Sequence, residues 1–280
     1  ATNFEDIYGT SGAETIKGDA NANTLYGQDG ADTLYGYAGN DFLVAHGANS
    51  FEENSDDGSV SVSTSVSETT SNTLYGGAGN DRLVGDGGED TLDGGTGTDT
   101  LSGHNGADTF VIRSGDGSTT LADANIITDF ADGTDLIGMD GLAFDDLTIE
   151  QGTGDYASHT LVSKTSSSEY LFIVQSTTAS NVTVVDFSST STENQTLNGT
   201  SGNDTFIGGA GNDTITTGAG NDAVYAGAGN DSITVNSKSG AYADTIDGGA
   251  GSDTLDIDYS GVSDLGDFTI AYDSSTEYFT

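Results

Sequence analysis

The stretch Gly76-Gly77-Ala78-Gly79-Asn80-Asp81-Arg82-Leu83-Val84 decides how most of this chain is organised. It is one copy of a nine-residue pattern that begins with glycine and has aspartate sixth and a large apolar residue eighth. The pattern starts again at Gly85, Gly94 and Gly103. A fixed short period of this kind is typical of a solenoid, in which each repeat packs only against its neighbours.

Two blocks of the chain carry the period. The first starts at Gly9 and runs to residue 111, with an interruption at 45–66 and a degenerate copy at 67–75. The second starts at Gly199 and is broken by the extra residues 235–238. We therefore predict an all-β chain with two parallel β-roll solenoids separated by a β-rich capping region. The expected boundaries are 1–111 for the first roll, 112–196 for the cap, 197–260 for the second roll, and 261–280 for C-terminal strands or the start of a further domain.

Each copy combines a turn with a short strand. Glycine and asparagine tolerate the positive φ that tight turns require. A following triplet such as Thr91-Leu92-Asp93 then alternates outward, inward and outward, as strand residues do. Because one copy makes half a coil, residues 18 apart in sequence are expected to stack. The pattern predicts four such pairs of aspartates: Asp81 with Asp99, Asp90 with Asp108, Asp204 with Asp222, and Asp213 with Asp231.

Stacked carboxylates repel one another unless a cation lies between them. Calcium suits such a gap, since it is a hard cation that takes several carboxylate and carbonyl oxygens in flexible geometry. Zinc and copper fit poorly because no His or Cys ligand is offered at these places, and magnesium demands stricter geometry. The predicted ligands are the sixth-place carboxylates of Asp32, Asp41, Asp81, Asp90, Asp99, Asp108, Asp204, Asp213, Asp222, Asp231, Asp244 and Asp253, together with the carbonyls of fourth-place Gly30, Gly39, Gly79, Gly88, Gly97, Gly106, Gly202, Gly211, Gly220, Gly229 and Gly251.

Composition limits the possible partners. Five basic and 45 acidic residues give a formal charge of −40, which argues against nucleic acid and anionic membranes. A disordered acidic tail is the alternative, but here the acids are phased with glycine and apolar residues. There is no cysteine, so no disulfide is expected, and no apolar run approaches the length of a membrane span. The chain shows no cleavable signal and lacks an initiating Met, so we expect a fragment or a processed piece.

The charge and the thin repeat core together predict that calcium folds the chain. The blocks allow at most about 11 same-side gaps for ions, enough to offset roughly half of the charge. An ion tenfold above its dissociation constant stabilises a site by about 1.4 kcal/mol. Calcium is scarce in cytosol and plentiful outside cells. We therefore expect the chain to stay expanded inside the cell and to fold after export.

The copies resemble the RTX (repeats-in-toxin) nonapeptide G-G-x-G-x-D-x-U-x. The resemblance implies a bacterial protein secreted by a type I system, in a family that includes toxins, proteases, lipases, adhesins and surface-layer proteins. Glu14, Asn23 and Asn72 depart from the pattern by replacing the sixth-place Asp. The end of the chain, 277–280, faintly resembles a type I secretion tail, although truncation within a longer protein is the preferred interpretation.

The segment between the blocks is similar to the β-rich regions of serralysin-type proteases and of alginate epimerase R-modules. The stretches that carry this likeness are Asn125-Ile126-Ile127-Thr128-Asp129-Phe130 and Val182-Thr183-Val184-Val185-Asp186-Phe187. Alternation and short turns separately predict antiparallel strands here. By resemblance, the segment caps the first roll, and Asp116, Asp123 and Asp129 are candidates for further calcium.

Other features have a structural and a functional interpretation. The insertion 45–66 is either a protruding hairpin or a contact site for a neighbouring subunit. The outward ninth-place residues Tyr26, Tyr35, Tyr75 and Tyr225 either cover the sheet or bind sugar rings. His46, His104 and His159 are far apart, and the motifs H-E-x-x-H and G-x-S-x-G are absent, so we predict no enzymatic activity and no catalytic residue.

Three functions are compatible with these features. The first is a calcium-binding structural module of a secreted protein, working in a surface layer, adhesin or extracellular coat, where calcium could also bridge copies of it. The second is the non-catalytic export-and-folding region of a larger secreted hydrolase or epimerase. The third is a carbohydrate-binding module that takes a polysaccharide as partner.

Overall fold

The chain is all-β over the residues that the structure describes. The computed structural model describes residues 6–46, 51–53, 60–62, 70–236 and 243–258. Its contacts divide the chain into two compact units, one formed by 1–138 and 146–186 and the other by 139–145 and 187–280. Among the described residues no α-helix occurs, and single 3-10 turns span Leu121–Asp123, Phe144–Asp146, Gly154–Tyr156, Ala179–Asn181 and Val184–Asp186.

The first unit contains two parallel sheets built from alternate copies of the repeat. One sheet has the order β1-β3-β5-β9-β11-β13-β17-β16-β15, and the other runs β14-β12-β10-β8-β4-β2 within this unit. Successive copies thus alternate between the two sheets, as expected for a β-roll. The strands are β1 (Asp6–Tyr8), β2 (Thr15–Lys17), β3 (Thr24–Tyr26), β4 (Thr33–Ala38), β5 (Phe42–Val44), β6 (Phe51–Glu53), β7 (Val60–Val62), β8 (Thr73–Ala78), β9 (Arg82–Val84), β10 (Thr91–Thr96), β11 (Thr100–Ser102), β12 (Thr109–Arg113), β13 (Asn125–Ile127), β14 (Leu136–Asp140), β15 (Leu147–Gln151), β16 (Thr160–Lys164) and β17 (Glu169–Val174).

The pairing register follows the repeat. Strand β3 aligns Leu25 with Leu43 of β5, and β10 aligns Leu92 with Phe110 of β12, each 18 residues on. Across the insertion, Leu34 of β4 aligns with Leu74 of β8, a step of 40 residues that exceeds 18 by the length of 45–66. The roll therefore continues in register past the insertion, within which β6 and β7 form an antiparallel pair.

Eighth-place side chains fill the first roll in two facing columns, one from each sheet. Leu25, Leu43, Leu83 and Leu101 from one sheet, and Leu34, Leu74, Leu92 and Phe110 from the other, are completely buried. Burial of each such side chain is worth roughly 1.5–3 kcal/mol. The apolar core of a coil is thus two side chains wide, and the turns that connect its strands are rich in acidic groups.

The segment after the first block continues the roll before it changes direction. Strand β13 pairs in parallel with β11 and with β17, so the prediction of antiparallel strands was wrong for this strand. Antiparallel pairing occurs further on in the same segment, between β15 and β16 and between β16 and β17, whereas the stretch 182–187 contains the 3-10 turn Val184–Asp186. Strand β13 stays parallel because Asn125 and Ile127 keep the spacing of the sixth and eighth places, so Ile127 fills the same buried column as Leu101.

The second unit repeats the arrangement on a smaller scale. One parallel sheet has the order β19-β21-β23-β25, and the other has the order β20-β22-β24. Phe206, Ile215, Val224 and Ile233 form its buried core. The predicted C-terminal strands within 261–280 lie outside the described residues. The strands of this unit are β18 (Phe187–Ser189), β19 (Thr196–Asn198), β20 (Thr205–Gly209), β21 (Thr214–Thr216), β22 (Ala223–Gly227), β23 (Ser232–Val235), β24 (Thr245–Asp247) and β25 (Thr254–Ile257).

Candidate calcium sites

The sixth-place aspartates form a hydrogen-bonded ladder along each block. In each predicted pair, Oδ1 of the later aspartate accepts the backbone N–H of the earlier one. Asp99 accepts from Asp81 at 2.8 Å, and Asp108 accepts from Asp90 at 2.9 Å. In the second unit, Asp222 accepts from Asp204 at 3.0 Å and Asp231 accepts from Asp213 at 2.7 Å.

The ladder is unbroken by the two extra segments. Asp81 Oδ1 accepts the N–H of Asp41 at 2.7 Å across the 45–66 insertion. In the second unit, Asp253 Oδ1 accepts the N–H of Asp231 at 2.9 Å, across the four extra residues. One carboxylate oxygen of each such aspartate is therefore occupied in holding the preceding coil in place.

The other carboxylate oxygen, Oδ2, has no protein donor in most coils. A buried carboxylate oxygen without a donor is costly, because it loses its water without replacement. Such an oxygen is stabilised by a positively charged partner, which the neighbouring side chains do not supply. Among the described residues, buried Oδ2 atoms without a hydrogen-bond partner belong to Asp32, Asp41, Asp81, Asp99, Asp108, Asp213 and Asp231.

Near the Oδ2 atoms of Asp32, Asp41, Asp81 and Asp213, a backbone carbonyl of the next coil lies beside the same first-place glycine. At first-place Gly76, a Cβ atom would lie 2.5 Å from Asp81 Oδ2 and 2.6 Å from the carbonyl oxygen of Gly94. At Gly208, a Cβ atom would lie 2.3 Å from both Asp213 Oδ2 and the carbonyl oxygen of Ala226. Glycine thus leaves open a cradle of oxygens that a side chain would fill.

The fourth-place glycines stack on one another. The carbonyl oxygen of Gly39 would lie 1.6 Å from a Cβ atom on Gly79, whose φ is +144°. Gly97 has the same relation to the carbonyl of Gly79 one coil later. The fourth-place carbonyls that the sequence predicted as ligands therefore lie between coils. The first-place carbonyls are additional candidate ligands. The first-place set was missing from the prediction.

Burial makes these carboxylates hard to keep charged. It raises the pKa of Asp81 to about 7 and that of Asp108 to about 8, and the neighbouring carboxylates add to both shifts. The pKa values of Asp32 and Asp99 rise to about 6, again chiefly through burial. A bound cation reverses this effect, since an opposite charge favours the ionised carboxylate.

The chemistry of the donor set fits calcium. Each gap offers carboxylate and carbonyl oxygens from two coils, which is the kind of ligand that Ca²⁺ takes in flexible arrangements. In the described part of the chain, no three His, Cys, Asp or Glu side chains converge as a metal-binding group. An ion here would depend on backbone carbonyls as much as on side chains, and this excludes the metals that need nitrogen or sulfur.

The first copy of each block, and the second copy of the first block, differ from the rest. Glu14 folds back on its own turn, where its Oε2 accepts the N–H of Thr10 at 3.0 Å. Asp204 does the same with the N–H of Thr200 at 2.7 Å. Asn23 accepts the N–H of Asp19 at 2.7 Å. These sixth-place oxygens already have protein donors.

Three residues outside the predicted set extend the ladders. Asn125 and Asp135 accept the N–H groups of Asp99 and Asp108 at 2.8 and 3.0 Å, and Gln195 donates its own N–H to Asp213 at 2.7 Å. Each lacks the glycine-rich half of a copy, and the nine-residue pattern therefore did not predict these residues. Their signal is the apolar residue two places later, at Ile127, Ile137 and Leu197.

A second ladder, of fifth-place asparagines, runs along the exposed rim. Asn80 donates its N–H to Asn40 Oδ1 at 3.0 Å and accepts the N–H of Thr98 at 3.1 Å. In the second unit, Asn230 donates to Asn212 at 2.7 Å. The nine-residue pattern predicted no role for the fifth place.

Asp116, Asp123 and Asp129 have separate environments. Asp116 pairs with Arg113 at 3.1 Å, which gives it a cation from the protein itself. Asp123 is exposed. Asp129 accepts from Ser102 Oγ at 2.6 Å and from the N–H of His104 at 2.9 Å. Their role in binding calcium stays a prediction, and the pairing of Asp116 weighs against it.

The tyrosine stripe presents ring edges rather than ring faces. Tyr35 and Tyr75 stack 4.8 Å apart at 8°, and Lys17 covers the Tyr35 ring at 5.2 Å. Tyr8 and Tyr26 stack 4.7 Å apart at 9°. Because stacking on sugars needs free ring faces, this geometry favours the interpretation that these rings cover the sheet.

Comparison with known proteins identifies the repeat. The family profile described as the RTX calcium-binding nonapeptide repeat matches residues 8–43, 68–101, 75–110, 84–118, 198–233 and 238–256, about half of the chain. The chain belongs to this family, whose repeats bind calcium ions in multiple copies. This confirms the predicted family and the predicted ion.

Other comparisons add little to this. A search of curated proteins finds no match. Among solved structures, the R3 subunit of AlgE6, a mannuronan C5-epimerase from Azotobacter vinelandii, is 20% identical, covering 64% of this chain and 79% of its own, with a TM-score of 0.25. In the described residues no helix is long and apolar enough to cross a membrane.

Proposed function

We propose that this chain is a structural module of a secreted protein that calcium folds outside the cell. The observation that carries the proposal is the set of buried, donorless Oδ2 oxygens of sixth-place aspartates, four of which lie near a first-place carbonyl of the next coil. They supply the ligands for a stack of calcium ions. Sixth-place aspartates, with first- and fourth-place carbonyls, would hold the ions.

The residues divide the work of folding. Oδ1 of a sixth-place aspartate holds the preceding coil through a hydrogen bond, and a donorless Oδ2 is left for the cation. When bound, calcium supplies the positive charge that offsets the burial of these carboxylates. The eighth-place leucines then pack between the strands of the two sheets and form the apolar core. Neither the ladder nor the leucine column supplies that charge.

Calcium supply sets where the module folds. A site stabilises the fold by RT ln(1 + [Ca²⁺]/Kd), so many weak sites together act as a steep switch on calcium concentration. The formal charge of −40 opposes compaction until ions bind. These properties suit a chain that crosses a membrane unfolded and folds on the far side.

The module's task is structural in this proposal. Its sixth-place acidic groups are engaged in the ladder. We infer a role in a surface layer, an adhesin or an extracellular coat, where calcium also links neighbouring copies. The outward carboxylates, which outnumber the bases, favour bridging by a divalent cation.

Circular dichroism and small-angle X-ray scattering test this proposal directly. The whole chain should be expanded in EGTA and should gain strand signal and become compact as calcium is added. Magnesium at the same ionic strength should give a much weaker response. Full strand content and a compact form in EGTA would overturn the proposal.

A matched pair of variants locates the effect. Asp99→Ala removes both a ladder acceptor and a candidate ligand, so we expect a stability loss of about 1–3 kcal/mol with calcium present and a higher calcium midpoint. Asp155→Ala changes an exposed acid outside the repeats and should alter neither. Equal effects of the two variants would contradict the assignment. Light scattering over the same titration reports calcium-dependent association.

A further inference from the structure

One gap in the first roll is already closed by protein groups. It lies between residues 70–75 of the degenerate copy and the copy 85–93. Asn72 occupies the sixth place of the first of these copies and is 2% exposed. Its Oδ1 performs the usual ladder function, accepting the N–H of Asp32 at 2.9 Å.

The side-chain nitrogen of Asn72 lies where the other coils have a donorless oxygen. Its Nδ2 donates toward the carbonyl oxygen of Thr70 at 3.0 Å, Asp90 Oδ1 at 3.0 Å and Asp86 Oδ2 at 3.2 Å. Two N–H groups thus serve three oxygens. The orientation of the amide is fixed by this network, because the reverse orientation would place its oxygen against three others.

Every carboxylate oxygen of this gap has a donor. Asp90 Oδ2 accepts the N–H of Asp86 at 2.7 Å, and Asp86 Oδ1 accepts the N–H of Gly88 at 2.8 Å. Asp90 Oδ1 also accepts the N–H of Asn72 at 2.8 Å. Asp90 differs in this respect from Asp81 and Asp99 on the opposite side of the roll, whose Oδ2 atoms have no donor.

The second unit contains a similar arrangement. Gln195 precedes the first copy of its block at the sixth-place spacing, and its Nε2 donates to the carbonyl oxygen of Gly208. Gly208 is the glycine beside the donorless Oδ2 of Asp213. A side-chain amide therefore reaches a first-place carbonyl here as well.

We propose that the Asn72 amide takes the place of a calcium ion and makes this gap a calcium-independent clamp in the first roll. The inference rests on the proposed function, since it distinguishes this gap from those that calcium fills. Its location has a physical reason. The chain re-enters the roll here after the insertion, and closing the 40-residue step costs loop entropy that a preformed contact offsets.

Counting bound ions by native mass spectrometry tests the inference. Asn72→Asp replaces the donors with a third buried carboxylate, so the variant should bind one calcium ion more than the wild type. Asn72→Ala removes the donors without adding a ligand and should bind the wild-type number with lower stability. Asp99→Asn is the reverse change and should bind one ion fewer. An unchanged count for Asn72→Asp overturns the inference.

A measurement on the wild type keeps the test valid if Asn72→Asp does not fold. In the calcium-loaded chain, NMR should show that the side-chain NH₂ of Asn72 exchanges with solvent at least about tenfold more slowly than that of exposed Asn105. Equal exchange rates would overturn the inference. A wild type that binds no calcium would instead overturn the proposed function, so the two failures are distinguishable.

Discussion

At the scale of single residues, the same repeat position has different requirements in different coils. A Cβ atom at a fourth-place glycine would point toward the preceding coil. Whether the position tolerates a side chain therefore depends on whether a preceding coil exists. Gly79 lies against Gly39 and has a positive φ. Gly202 lies in the first copy of the second block, and a Cβ there would meet only Thr200 Oγ1 at 3.6 Å.

Alanine at these two glycines should therefore have unequal effects. Gly79→Ala forces a Cβ against backbone in a conformation that alanine rarely adopts, and we expect a stability loss of more than about 2 kcal/mol. Gly202→Ala should change stability by less than about 0.5 kcal/mol. Thermal unfolding in saturating calcium measures both. A loss at Gly202 as large as at Gly79 would show that coil stacking is not the cause.

At the scale of strands, one full coil of two copies is the unit that preserves the fold. Sheets alternate with each copy, so strand β20 aligns with β22 and strand β21 aligns with β23. Removal of one copy would shift every later strand to the opposite sheet. Removal of two copies would shorten the roll and keep each strand in its own sheet.

Deletions in the second block test this rule. Without residues 208–225, β20 is followed by β23 in the correct sheet, so the variant should fold with calcium and bind fewer ions. Without residues 208–216, β22 falls on the wrong side, and the later strands lose their register. Calcium-dependent circular dichroism of the two variants gives the comparison. Equal folding of both would contradict the alternation.

The sequence predicted the repeating part of the fold and missed its extensions. Leu92 and Asp90 are identifiable because glycine, acid and apolar residues recur together at one period. Only the acid or amide and the apolar residue two places later are present at Asn125, Asp135 and Gln195. This partial pattern does not identify them as ladder residues before the strand pairing is known. The state of each Oδ2 likewise depends on neighbours from another coil, which the order of residues alone does not specify.

At the scale of the whole molecule, protons should partly replace calcium. Burial raises the pKa of Asp81 to about 7 and that of Asp108 to about 8, above the ordinary value in the unfolded chain. The calcium-free folded form therefore binds more protons than the unfolded form, and its stability falls as pH rises through about 4 to 8. The many remaining acids add repulsion in the same direction.

The chelated chain should consequently be more ordered at pH 5 than at pH 8. Circular dichroism in EGTA at both values measures the difference, with a parallel series in excess calcium. With calcium the dependence should reverse, because protons compete with the ion for the same oxygens. A chelated chain that gains order as pH rises would contradict the raised pKa values.

The hydrogen bond from Asp81 to Asp99 has a further consequence for chemical ageing. Deamidation of Asn80 requires the backbone nitrogen of Asp81 to attack the asparagine side chain, and that nitrogen is held by Asp99 Oδ1. The same restraint applies at Asn212 and Asn230, whose following nitrogens are held by Asp231 and Asp253. Peptide mapping after prolonged storage should find isoaspartate accumulating at these sites in EGTA and not in calcium. An ion that folds the chain would thus also set its chemical lifetime.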